Sequence, residues 1–372
     1  MSGKHIVITV NAAWNLWNYR TGIIRMLLAE GHRVTLLAPR DETVPKLTAL
    51  GCDFMPIEMS RRGRAPHTEA LVLAGLARSL RRLRPDAVLS FTIKNNIYAG
   101  IACRFLGIPF LPNVSGRGAV FSQSPLLVRM VVMAYRLAFG RAATVFYQNP
   151  EDRAFFLARG IGRAEQAALL PGSGVDLTAF AAVPLPGADD APVFLMVARL
   201  LKDKGVAEYA RAAARVQAQF PRARFRILGA HEDGPDYISA ADLRAWQGSG
   251  WLEHPGTVPD IRPEIAAADA VVLPSYYLEG TPRALIEAAA MGRPIVTTDT
   301  PGCRDTVIDG QSGYLVAPRD AEDLGDKLLR LCEMTAQDRD AMGRASRRLA
   351  EQRFDEAIVL RLYRTALADR GI

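Results

Sequence analysis

The sequence predicts an α/β protein made of two domains, each a parallel sheet of Rossmann-like winding. Three observations carry that prediction. Apolar runs of strand length alternate with segments of helical periodicity along the whole chain. The N-terminus is a βαβ unit. Residues 5–10 form a strand, residues 19–30 a helix with Ile23, Ile24, Leu27 and Leu28 at helical spacing and Gly31 as its stop, and residues 33–38 a second strand. Residues 183–192 are rich in proline and acid, lack periodicity and read as a linker. Domains of 1–182 and 183–354 are therefore expected, with a last helix at 355–372 returning to the first.

Size and composition agree. The chain has 372 residues, 49% hydrophobic and 23% charged, which fits a globular protein of more than one domain. No apolar stretch reaches the roughly 20 residues that cross a bilayer. The start of the chain lacks the order of a secretory signal. Cys52, Cys103, Cys303 and Cys332 are scattered, without C-x-x-C spacing, so neither a disulfide framework nor a zinc site is expected and the expected compartment is the cytoplasm. Charge is uneven: residues 1–180 carry net +11 and the remainder net −4. Between Arg61 and Arg141 thirteen basic residues face only Glu69 and Asp86, which implies an anionic partner for the first half. Nucleic acid is the weakest candidate, because the segment lacks interleaved exposed aromatics.

The loop 11–18 after the first strand has no G-x-G-x-x-G, and the second strand ends in Ala38-Pro39-Arg40 without a ribose-binding acid. A nicotinamide or flavin enzyme is disfavoured. A short strand at 51–57, a basic helix at 68–84 and a strand at 86–91 follow. Lys94, Asn95 and Asn96 then fall where a strand end opens onto the crevice of an open sheet, although a capped helix start explains the asparagines equally well. A strand at 110–114 leads into the loop 115–118, which holds Arg117. Residues 124–141 are apolar with only arginines between, and two readings stay open: a helix on a membrane interface, or a core helix with snorkelling arginines. A strand at 144–148 and a helix at 150–159 end the first half. In the second, strands are expected at 193–197, 224–228, 252–256, 270–273, 294–298 and 312–316, with helices to residue 219 and at 282–291, 321–333 and 338–351.

The chemistry concentrates at 273–287. After a buried strand come Glu279-Gly280-Thr281-Pro282 and a helical segment carrying Glu287. Thr281 is the expected N-cap and Pro282 the first helical residue, with Gly280 allowing close backbone approach. Free N–H groups there favour an anion, and two carboxylates suit hydroxyls. The run E-G-T-P-R-A-L-I-E-A-A-A-M-G-R-P-I-V resembles the E-x7-E signature of family-4 retaining glycosyltransferases, which have the two-domain GT-B fold. Arg199 and Lys204, in A-R-L-L-K-D-K-G, resemble that family's donor-diphosphate element, and Pro171-Gly-Ser-Gly-Val-Asp176 its interdomain loop. Asn18-Tyr19-Arg20, Phe91-Thr92, Asn113–Gly116 and Gln148-Asn149 are similar to the bacterial branch that extends sugars on undecaprenyl diphosphate.

The resemblance implies a cleft between the domains. It implies Arg199, Lys204 and Glu279 as catalytic residues, and a donor site of Arg199, Lys204, Gly229, Val258, Gly280, Thr281, Pro282, Leu285 and Glu287. Asn15, Asn18, Lys94, Asn95 and Arg117 are the acceptor-side candidates, because the first domain departs from the family's glycine-rich loop and histidine. The implied donor is a uridine-linked hexose or N-acetylhexosamine, and the acceptor a lipid-linked saccharide at the inner membrane face. No metal or cofactor is expected, since two fixed cations can take the charge of the leaving diphosphate. The rivals are a nucleotide-sugar epimerase and a catalytically idle nucleotide- or membrane-binding scaffold. The four charged residues Arg199, Lys204, Glu279 and Glu287 argue against the scaffold.

Overall fold

A computed structural model describes residues 3–59, 66–186 and 191–372. The chain forms two compact units, residues 1–173 with 357–372, and residues 174–356. Residues 174–182, expected with the first domain, thus group with the second.

The first unit holds a seven-stranded, wholly parallel sheet: β1 (His5–Thr9), β2 (Arg33–Ala38), β3 (Asp53–Pro56), β4 (Ala87–Phe91), β5 (Phe110–Val114), β6 (Val145–Tyr147) and β7 (Ala167–Leu169), in the order β3-β2-β1-β4-β5-β6-β7. Ile6 pairs with Val34 on one side and Ala87 on the other. The central strands are buried along nearly their whole length, as a sheet covered by helices on both faces requires. The sequence reading missed β7, a three-residue strand too short to show a period.

Two further differences have plain causes. The expected loop 11–18 is largely helix, Ala13–Tyr19, and a second helix, Thr21–Ala29, follows after the break at Arg20. Ala13 and Leu16 are buried, so tertiary burial overrides the indecisive local sequence. Residues 124–141 form the helix Pro125–Phe139, which is buried on one side only. Tyr135, Ala138 and Phe139 face the core, whereas Leu126, Met130 and Met133 are 71%, 60% and 60% exposed.

The second unit repeats the architecture with six parallel strands: β8 (Val193–Val197), β9 (Arg224–Leu228), β10 (Leu252–Gly256), β11 (Ala270–Leu273), β12 (Ile295–Thr298) and β13 (Gly313–Val316), ordered β10-β9-β8-β11-β12-β13. The order reverses at β8, whose two neighbours are β9 and β11, and ligands bind at such a reversal. Arg293 is fully buried beneath this sheet. Its guanidinium donates to the carbonyls of Ala268 and Pro184, at 3.1 and 2.7 Å, and to that of Val183.

The helix Glu356–Ala368 belongs to the first unit for all but its first residue. Val359, Tyr363 and Leu367 are buried there, and the Tyr363 ring lies 4.5 Å from that of Phe146. Asn113 Nδ2 donates to Tyr363 Oη at 2.9 Å, while Asn113 Oδ1 accepts from Gln148 at 3.2 Å. Tyr363→Ala is expected to destabilise the first unit by about 3–5 kcal/mol, the usual cost of deleting a buried aromatic ring. Tyr363→Phe, which orphans one amide hydrogen, should cost about 1–3 kcal/mol. Urea unfolding followed by tyrosine and tryptophan fluorescence measures both.

Candidate active site

Arg199 follows β8 directly. It is exposed and engaged by no carboxylate among the described residues. The chain then turns through Lys202–Lys204 and reaches Gly205 at φ +77°. A Cβ at Gly205 would overlap the Pro274 carbonyl, so glycine is required where the loop after β8 meets the loop after β11. Tyr276 N–H donates to the Asp203 carbonyl at 2.9 Å and closes the same junction.

That junction brings Lys204 and Glu279 together. Lys204 Nζ lies 2.6 Å from Glu279 Oε2, and Ser275 Oγ donates to Glu279 Oε1 at 2.8 Å. Both charged side chains are mostly buried, at 12% and 16% exposure, so each limits the desolvation cost of the other. The Lys204 ammonium also sits 5.3 Å from the centre of the Tyr277 ring. Ser275, four residues before Glu279, is a partner that sequence reasoning did not single out.

The helix after this turn is Arg283–Ala290, and Pro282 occupies the N-cap with no side-chain cap. Thr281, expected to cap the helix, is instead a buried residue of the turn. Gly280 is not in the left-handed region. The close approach there belongs to Gly302 (φ +82°), where a Cβ would overlap the Gly280 carbonyl. Glu287 is buried one turn into the helix. Burial raises its carboxyl above the ordinary value, and Arg283, donating from Nε to Oε1 at 2.7 Å, opposes that rise. Leu285 is fully buried in the second unit's core, and Val258 packs against the same core. Gly229 is required because a Cβ would overlap the Ala198 carbonyl at the ends of β8 and β9.

In the first unit the candidates divide. Asn15 lies on the helix Ala13–Tyr19, and its Oδ1 is buried with no hydrogen-bond partner among the described residues. Asn18 is exposed and donates to the Trp14 carbonyl at 2.9 Å. Lys94 Nζ is 2.7 Å from Glu69 Oε1, and Tyr98 Oη donates to the other oxygen of Glu69. Asn95 is fully buried and serves the scaffold, donating to Thr9 Oγ1 at 2.7 Å and accepting from Thr92 at 3.1 Å. Thr92 has φ +73°, a conformation costly for a β-branched residue, at the end of β4. Arg117 is held by Asp152 at 2.6 Å and lies over the Phe155 ring at 4.4 Å. Burial raises the Asp152 carboxyl and the arginine lowers it. Among the described residues no group of three His, Cys, Asp or Glu side chains is set to hold a metal ion.

Residues 16–173 match the Glycosyl transferase 4-like domain and residues 191–334 the family Glycosyl transferases group 1. A Campylobacter jejuni protein, N,N'-diacetylbacillosaminyl-diphospho-undecaprenol alpha-1,3-N-acetylgalactosaminyltransferase, is 27% identical over 339 residues, covering 87% of this chain and 88% of its own. Anabaena HepE, solved in complex with UDP and glucose, has TM-score 0.80 and 19% identity, with 98% of this chain and 100% of HepE covered. Sucrose-phosphate synthase from Thermosynechococcus elongatus has TM-score 0.76 and 20% identity over the same shares. The chain is therefore a glycosyltransferase of GT-B fold. Its second half carries the domain described as Glycosyl transferases group 1 and its first half the 4-like domain.

Gly205→Ala tests the junction. It combines a left-handed backbone with a clash against Pro274, so a loss of about 1–3 kcal/mol is expected. Nucleotide affinity should weaken as the Lys204 turn moves, measured by thermal unfolding with and without UDP.

Proposed function

We propose that this chain transfers a sugar, with retention at the anomeric carbon, from a uridine diphosphate donor to a saccharide carried on a polyprenyl diphosphate. The carrying observation is the charge arrangement after β8 and β11: Arg199 exposed and unengaged by a carboxylate, and Lys204 seated on Glu279. As the acceptor hydroxyl bonds to the anomeric carbon on the face that the diphosphate leaves, the bond from that carbon to the diphosphate oxygen breaks, its electron pair leaves with UDP, and the hydroxyl proton passes to the departing diphosphate oxygen. Arg199 supplies a forked donor and Lys204 a point charge to the diphosphate as it becomes more negative. Glu279, fixed by Ser275, contacts the donor sugar and opposes the positive charge growing on its ring. Glu287 accepts the ribose hydroxyls. This scheme needs no metal.

The acceptor assignment draws support from the Campylobacter relative, whose name gives a diphospho-undecaprenol substrate. It also draws support from the basic first unit, where the Asn15 amide oxygen lacks a hydrogen-bond partner among the described residues, whereas Lys94 is paired with Glu69. A lipid-linked acceptor calls for a membrane surface. The helix Pro125–Phe139 offers Leu126, Met130, Met133 and Leu137 on its exposed side, with Arg129 and Arg136 exposed and no acidic residue between 124 and 141. No helix among the described residues is long and apolar enough to cross a membrane. We assign this face to the anionic inner surface of the plasma membrane, placing the enzyme peripherally in the cytoplasm.

Turnover of UDP-sugars with a lipid-linked acceptor tests the chemistry. Glu279→Ala and Arg199→Ala should each lower kcat on the order of 100-fold, and EDTA should leave the wild-type rate unchanged. Near-normal rates in both variants would sink the mechanism. Liposome flotation tests the surface. The wild type should rise with anionic vesicles at low salt, and a variant with Leu126, Met130 and Met133 replaced by Gln should stay behind.

A further inference from the structure

We propose that Arg283 is a positioning residue which holds the Glu287 carboxylate ionised and aimed, and that it thereby sets the preference of the site for ribonucleotides over 2′-deoxyribonucleotides. The inference rests on the ribose role assigned to Glu287 above. Arg283 is the first residue of its helix. Its Nε donates to Glu287 Oε1 at 2.7 Å and its Nη1 to the Gly174 carbonyl, and the guanidinium lies 6.0 Å from the Phe180 ring centre. Both partners of the ion pair are mostly buried, at 15% and 12% exposure.

Helix stability does not account for this arginine. A cation at a helix N-terminus opposes the macrodipole, and a basic residue four positions before an acidic one is the weaker order of such pairs. Local disagreement of this sort is expected where a residue serves a site. The guanidinium fork supplies what the site needs. One arm takes a Glu287 oxygen, the other anchors to the backbone of the 171–176 loop, and the carboxylate's second oxygen, which takes no hydrogen bond among the described residues, is left for an incoming hydroxyl. An ionised acceptor binds a diol more strongly than a neutral one. Lysine, a single point charge, cannot engage both partners in that geometry.

Among the described residues Arg283 is the charged group acting on Glu287, and it works against the upward push of burial. Without it the carboxyl is protonated at higher pH, so nucleotide affinity should fall as pH falls.

Calorimetric titration of the full-length protein with UDP and with 2′-deoxy-UDP, at pH 6 and pH 8, tests this. The wild type should prefer UDP by about 10-fold, the scale of a hydrogen bond to a charged group. Arg283→Met should lose most of that preference, more at pH 6 than at pH 8, with 2′-deoxy-UDP weakened much less than UDP. Arg283→Lys should be intermediate. If Glu287→Gln leaves UDP affinity and preference intact, the ribose role of Glu287 is wrong. If Glu287→Gln abolishes the preference and Arg283→Met keeps it at both pH values, the positioning role is wrong. Equal weakening of both nucleotides in Arg283→Met would mark the arginine as merely structural and also overturn the inference.

Discussion

Glu279 owes its position to two loops locked together at the reversal point of the second sheet. Because β8 and β11 are adjacent, the turn after one meets the turn after the other, and Gly205 lets them touch at Pro274. Lys204 reaches Glu279 only because that contact exists, and Ser275 then fixes the carboxylate from the opposite oxygen. Removing either charge would leave the other partly buried and uncompensated, which is costly. Arg199, by contrast, is exposed and engaged by no carboxylate among the described residues.

The first sheet uses its reversal point differently. Its order turns between β1 and β4, and there Asn95 bonds back to Thr9, so the crevice is tied across at depth. The strained Thr92 sits where this tie begins, and strain persists only where the surroundings over-determine the backbone. Excess positive charge in this half is not all displayed. Arg117 is committed to Asp152, and Lys94 to Glu69, so the basic character read from composition is partly spent on internal pairs. What remains exposed includes Arg129 and Arg136, beside an apolar stripe.

Most of the fold was legible because its signals are local. Strands 110–114, 193–197, 224–228, 252–256 and 270–273 were bounded as observed; of these, 193–197 and 270–273 read as continuous apolar runs, as strands buried on both faces do. The helix Ala13–Tyr19 and the strand Ala167–Leu169 were not, because each is short and tertiary contacts stabilise it. In the site, the residues at 199, 204, 279 and 287 stood out through type and spacing. The N-cap was misjudged by one residue, Thr281 for Pro282, which is within the range over which helix ends shift.

The sequence by itself determined the class of fold and the family of the donor motif, because strand and helix periods and a continuous eighteen-residue run need no knowledge of distant contacts. Only the tertiary structure decided which partner each charge takes. Arg117 meets Asp152 across 35 positions, Lys94 meets Glu69 across 25, and Arg283 meets Gly174 across 109. It also decided which side of the helix Pro125–Phe139 is covered and which is bare. Such pairings follow from which strand ends lie side by side, and strand order in a parallel sheet is set by long-range packing rather than by neighbouring residues.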